Sequence, residues 1–153
     1  MNHNYRGIGK VLDVILRLCF VFGIILLILI VPILKYLGFE ITLFYLFIYP
    51  IGIGFLVLMY QFMGLFQSLS NNDPFCKNNV TKIGIAMSSS FGIAIFIFLS
   101  FLVAIYIYQY RLSFVICLLF MDILFLGVGI ALYILRELFK EAISYKEENE
   151  LTI

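Results

Sequence analysis

Residues 19–34 read CFVFGIILLILIVPIL, a run without a single charge. With the apolar residues before it, the block covers residues 11–34, and roughly 20 such residues suffice for a helix to cross a bilayer. It is too long for the core of a signal peptide, and no small-residue cleavage site follows it. Arg6, Lys10 and Arg17 lie on its N-terminal side. Asp13 and Arg17 stand four apart, the spacing at which opposite charges pair on one helix face.

Three further apolar blocks follow, over residues 43–69, 83–108 and 112–135. The composition agrees: 64% of the 153 residues are hydrophobic and 12% charged, against roughly 45–50% and about 25% in soluble domains. The mean hydropathy is +1.13. The chain is therefore expected to be an all-α integral membrane protein, one domain over residues 1–153 folded as a four-transmembrane-helix bundle. Pro50, Gly52 and Gly54 predict a kink in the second span, since proline removes a backbone donor and crowds the preceding turn. In the tail, 136–153, Leu135, Leu138, Phe139, Ala142 and Ile143 recur at helical spacing between charged residues. The last helix is thus expected to leave the membrane with one apolar stripe.

Charge sets the expected orientation. Arg6, Lys10, Arg17, Lys77, Lys82, Arg136, Lys140 and Lys146 fall on one side of the four spans, and only Lys35 and Arg111 on the other. The positive-inside rule then puts the N-terminus, the loop 70–82 and the tail in the cytoplasm. Tyr36, Tyr45, Tyr106, Tyr108 and Tyr110 fall at the opposite interface, where amphipathic rings collect. Gly84, Ser88 and Gly92 in the third span, and Gly127 and Ala131 in the fourth, predict small-residue stripes for close helix packing, within the bundle or between copies in a homo-oligomer.

Enzymatic chemistry is not expected. His3 is the only histidine and falls in a tail expected to fray. Ser88, Ser89 and Ser90 have no basic partner at membrane depth. Cys19, Cys76 and Cys117 are odd in number and lack the spacing of a disulfide framework or zinc site, so no metal or other cofactor is expected. A net charge of +1 offers no field for direct nucleic-acid binding. The Asn79-Val80-Thr81 glycosylation triplet falls on the expected cytoplasmic side. Asp122 stands out, a carboxylate within the fourth span, where an ionised side chain costs about 2.5–3.5 kcal/mol. It is expected either to clasp the serine-rich face of the third helix or to mark an ion or proton pathway.

The loop SNNDPFCKNNVTKIG, residues 70–84, is the longest polar interruption. Asp73 is expected to cap a short interfacial helix and Pro74 to open it, where its missing donor is harmless. Phe75 then turns back to the inner membrane boundary or the bundle, while Lys77, Asn78, Asn79 and Lys82 face headgroups and cytosol.

The segment DPFCKNNVTKIG resembles a signature of Pro-Phe, two residues, Glu-Asn, then a basic residue and Ile-Gly. The ending YKEENELTI resembles Lys-Glu-Glu-Asn-Asp-Leu-Thr. Both belong to a bacterial four-helix membrane family catalogued as domain of unknown function 2975. Pro74, Phe75, Asn79, Gly84, Glu148, Asn149, Leu151 and Thr152 match it; Asn78 replaces the usual Glu, and Glu150 the usual Asp. No activity is assigned to that family. The resemblance implies a setting, since members are often encoded beside a small helix-turn-helix regulator.

Two functions compete on these grounds. One is a membrane sensor or anchor for such a regulator, bound through Pro74, Phe75, Asn79, Glu148, Asn149, Glu150, Leu151, Thr152 and Ile153. The other is a small transporter or immunity-type protein using Asp122. Loop and tail, on one membrane face, are expected to touch each other or to share a partner.

Overall fold

The computed structural model describes residues 3–36, 45–70, 75–106 and 112–151. They form four helices: α1 (His3–Tyr36), α2 (Tyr45–Ser70), α3 (Lys77–Tyr106) and α4 (Leu112–Leu151). All four are long and apolar enough to cross a membrane. Helix α1 runs through Pro32, and α2 through Pro50, without a break. The sequence reading is corrected at the start of the chain, because helix begins at His3 where a frayed tail was expected. At α4's 40 residues and about 1.5 Å of rise each, that helix is near twice the ~30 Å hydrocarbon thickness.

The packing follows a 3–4 spacing. On α1 the half-buried residues include Leu16, Phe20, Gly23, Leu27, Ile30 and Leu34. On α4 the covered stripe is Leu118, Asp122, Phe125, Gly129, Leu132, Arg136, Phe139 and Ile143. A mean step of 3.5 residues keeps one seam facing a partner in left-handed, coiled-coil-like packing. Neighbouring helices are antiparallel: Gly23 lies against Leu56 and Gly52 against Leu27, Gly54 against Ile93 and Gly64 against Lys82, Gly84 against Arg136 and Gly129 against Phe91. The start of α1 and the end of α4 therefore share one end of the bundle.

The bundle is open. Among the described residues α1 packs on α2, α2 on α3 and α3 on α4, and no other helix pair touches. The buried residues concentrate on α3. Ile93, Ala94 and Ile97 cluster with Phe125 of α4, flanked by Ile51 and Leu118. Nearer the charged end, Ile83 and Ala86 cluster with Leu132, flanked among others by Phe62, Leu65 and Phe139. Large side chains such as Phe22 on α1 and Phe120 on α4 point outward. Apolar residues outside are what a lipid solvent rewards.

Within the bundle, the small-residue stripes do not form the helix seams. Ser88 and Ala131 are exposed, and a Cβ on Gly92 or Gly127 would meet nothing within 4 Å. A four-residue step turns about 40° past a full revolution at 100° per residue, so 84, 88 and 92 drift off the seam. The glycine that does meet its neighbour on α4 is Gly129, whose Cβ would stand 2.8 Å from the Phe91 ring.

Candidate functional site: the loop–tail junction

At the charged end the segment after the α2–α3 connection meets the last turns of α4. Phe75 sits in a bend, Cys76 is non-helical, and the Asn79 amide donates to the Cys76 carbonyl at 2.9 Å, closing the first turn of α3. The sequence reading is corrected here, because helix begins at Lys77 rather than at Asp73 and Pro74, which lie outside the described residues. Residues 77–82 are no separate interfacial helix; they are the first turns of α3. The Phe75 ring packs on Phe139 with centroids 5.4 Å apart, and the Cys76 thiol lies 3.8 Å from the Ser68 hydroxyl at the end of α2. Both contacts tie the bend to neighbouring helices, and tertiary ties of this kind override local helix preference.

Beyond the bend, charge takes over. The Lys77 ammonium lies 2.9 Å from a carboxylate oxygen of Glu147 on α4. This hydrogen bond and the Glu147 charge raise the Lys77 pKa above its ordinary value. Loop and tail therefore touch each other, as the sequence led us to expect. Lys77 belongs to the part of α3 outside the hydrocarbon, because 30 residues at about 1.5 Å each overshoot the ~30 Å core.

Two basic side chains expected in headgroups or cytosol instead lie against helices. Lys82 donates to the Gly64 carbonyl of α2 at 2.9 Å. A Cβ on Gly64 would stand 3.0 Å from that ammonium, so the glycine makes room for it. Arg136 crosses α3 at Gly84, its Nε 3.2 Å from where a Cβ would be. That nitrogen is buried and has no hydrogen-bond partner among the described residues. On α1, Arg17 donates to Asp13 at 3.0 Å, the pairing their spacing predicted. Given the antiparallel registers, Arg17, Lys82 and Arg136 fall at about one level and mark where the apolar spans end.

Asn79 is the largest departure from the sequence reading. It is 1% exposed, not turned to the cytosol. With Phe62, Leu65, Ile83, Leu135 and Phe139 it lines a cavity of about 180 Å³ between α2, α3 and α4. It continues the buried stripe of α3 one turn above Ile83. The expected tail stripe is present in part: Phe139, Ala142 and Ile143 turn inward and Leu135 edges the cavity, whereas Leu138 is exposed. Glu148 and Asn149 are exposed at the end of α4. The backbone of Glu150 and Leu151 is helical, and Thr152 and Ile153 lie outside the described residues.

Asp122 occupies the α3-facing stripe of α4, half-buried. The clasp between these helices is made elsewhere: Ser90 donates to the Phe125 carbonyl at 2.8 Å. Ser88 is exposed, so α3 presents no continuous serine face to Asp122. Among the described residues no three His, Cys, Asp or Glu side chains gather to hold a metal ion.

The sequence model of a family described as "Protein of unknown function (DUF2975)" matches residues 30–153. No curated protein and no solved structure matches the chain.

Proposed function

The chain belongs to the DUF2975 family, and from that premise we propose that it is a non-enzymatic multi-pass protein of the bacterial plasma membrane whose cytoplasmic face anchors a small helix-turn-helix regulator. Both termini and the loop 70–82 lie in the cytoplasm on this reading, by the asymmetry of Lys and Arg. The observation that carries it is the junction of Phe75 with Phe139 and Lys77 with Glu147. Phe75 and Asn79 of one family signature are thereby fixed beside the helix that bears Glu148 and Asn149 of the other. Glu148 and Asn149 stay exposed beyond the junction, while Asn79 supports the junction from inside. Pro74, Glu150, Leu151, Thr152 and Ile153 complete the proposed contact.

The test uses the detergent-solubilised full chain and the small DNA-binding protein encoded beside it. Immobilised protein retains that regulator, and deletion of residues 147–153 abolishes retention while the helices stay inserted. Full retention after deletion removes the tail from the proposal.

A second reading, a transporter or immunity-type protein, is favoured by Asp122. The residue lies on a helix seam with no hydrogen bond or ion pair among the described residues, and intramembrane carboxylates mark pathways. Asp122→Asn then abolishes transport or resistance at unchanged expression. Retained activity sinks this reading.

A further inference from the structure

Toward the charged end the α3–α4 seam opens into a cleft of about 240 Å³, lined by Lys77 and Val80 of α3 and by Lys140, Ile143, Ser144 and Glu147 of α4. That is below the roughly 300 Å³ at which sites for drug-sized ligands begin. The cleft has room for one chemical group rather than for a whole molecule of that size.

The charges around it do not balance. Lys77 is held by Glu147 at 2.9 Å and Lys140 by Glu137 at 2.6 Å. One turn of α4 toward the membrane from Lys140 stands Arg136, which crosses α3 at Gly84, one turn from Val80 in the cleft wall. Arg136 makes no hydrogen bond or ion pair among the described residues; its Nε is buried while its terminal nitrogens reach the surface. Glu137, next in sequence, points about 100° away round the helix and is taken by Lys140. Three cations against two carboxylates leave one positive charge, and it belongs to a guanidinium whose fork has no acceptor. Lys140 gives one N–H to Glu137, and an ammonium has others to give. The first turn of α3 adds the positive end of a helix dipole to the facing wall and contains no acid.

A guanidinium fork and an ammonium about 6 Å apart along one helix face suit the oxygens of a phosphate, which arginine grips with two parallel hydrogen bonds. The level suits it too, since Arg136 marks where the apolar spans end and headgroups begin. We propose that this cleft binds one phosphate group, held by the terminal nitrogens of Arg136 and by Lys140, with the Lys77–Glu147 pair closing its far end. A lipid headgroup and a soluble phosphate share this chemistry, and the experiment separates them. The site depends only on the chain spanning a membrane and is independent of any regulator.

Gly84 gives the proposal a test that alters no charge. A Cβ there would stand 3.2 Å from the Arg136 Nε, so Gly84→Ala displaces the fork. The full chain in nonionic detergent is titrated with phosphatidylglycerol, or with diacylglycerol of the same acyl chains, and bound lipid is counted by native mass spectrometry. One phosphatidylglycerol is expected to stay bound where diacylglycerol does not. Arg136→Gln and Lys140→Gln each weaken that retention by about tenfold or more, as the loss of a charge-assisted hydrogen bond requires. Gly84→Ala weakens it in the same direction, and it and Lys140→Gln carry the test if Arg136→Gln fails to fold. Arg17→Gln, which removes a cation at the same level on α1, leaves it unchanged. In the second arm, inorganic phosphate that is itself retained and displaces the lipid identifies a soluble phosphate as the occupant, whereas phosphatidylglycerol retained in excess phosphate identifies a headgroup. Equal retention of the two lipids with no bound phosphate overturns the proposal, as does a loss on Arg17→Gln as large as that on Arg136→Gln.

Discussion

Phe75 and Phe139 stack at 5.4 Å between centroids with their planes tilted by 43°, joining a bend before α3 to the twenty-eighth residue of the 40-residue α4. The pair sits beneath Lys77 and Glu147, which meet at 2.9 Å. An aromatic contact at the membrane edge and an ion pair above it thus secure the same two segments. Their sensitivities differ, and that separates them experimentally.

For the aromatic half, Phe75→Ala and Phe139→Ala are each expected to loosen the junction. A double-mutant cycle should yield a coupling of about 0.5–1.5 kcal/mol, the range for ring pairs beyond simple burial. Unfolding in mixed detergent micelles measures it. Additive effects would mean that the rings do not hold each other.

The ionic half responds to salt and to alkali. The Lys77 pKa is raised by Glu147, so the contribution of the pair is fully present below the ordinary lysine value and is lost as pH rises through the raised one. Amide exchange in the last turns of α4 should therefore stay protected across neutral pH and rise in strong alkali. Because both partners are exposed, high salt or Glu147→Gln should also raise that exchange, and only modestly.

Gly129 and Gly127 offer a paired test of the α3–α4 seam. A Cβ on Gly129 would come within 2.8 Å of the Phe91 ring, whereas one on Gly127 would meet nothing within 4 Å. Gly129→Ala should destabilise by about 1–3 kcal/mol, the usual cost of overpacking, and Gly127→Ala should be neutral or slightly stabilising. Thermal unfolding of the two purified variants checks this, and equal midpoints would refute the seam assigned to α4.

Ser90→Ala removes the hydroxyl that donates to the Phe125 carbonyl. Hydrogen bonds between membrane helices average about 0.6 kcal/mol with a ceiling near 1.7, so a small loss confined to α3–α4 association is expected. The same unfolding measurement reports it.

The four helices were legible because an apolar run of bilayer length has few other uses, although α1 and α3 begin well before the apolar blocks that marked them. The Asp13–Arg17 pair was legible because it is local. What failed depended on partners. Asp73 and Pro74 carry a strong helix-start signal, yet Phe75 is drawn to Phe139 and Cys76 to Ser68, and helix waits until Lys77. Gly84, Ser88 and Gly92 repeat every four residues, but the seam repeats every three and a half.

Asn79 was misread because its neighbours are polar. A signal did exist: Asn79, Ile83, Ala86, Ser90, Ile93 and Ile97 step by four and three along α3, and all are buried. Extending the seam backward from the apolar span would have placed Asn79 inside. Lys82 and Arg136 were missed for a related reason. Their heads lie over glycines of the adjoining helix, a contact that becomes readable only once the helix registers are known.

The open succession of helices also bears on how the chain assembles. Among the described residues the helix–helix packing joins elements adjacent in sequence, so none of the four helices must wait for a distant one to emerge from the ribosome. Helix α1 finds its whole interface once α2 has entered the bilayer, and each later helix adds to an edge already present. Biogenesis can proceed in the order of translation, with short loop closures throughout and little occasion for a trapped intermediate.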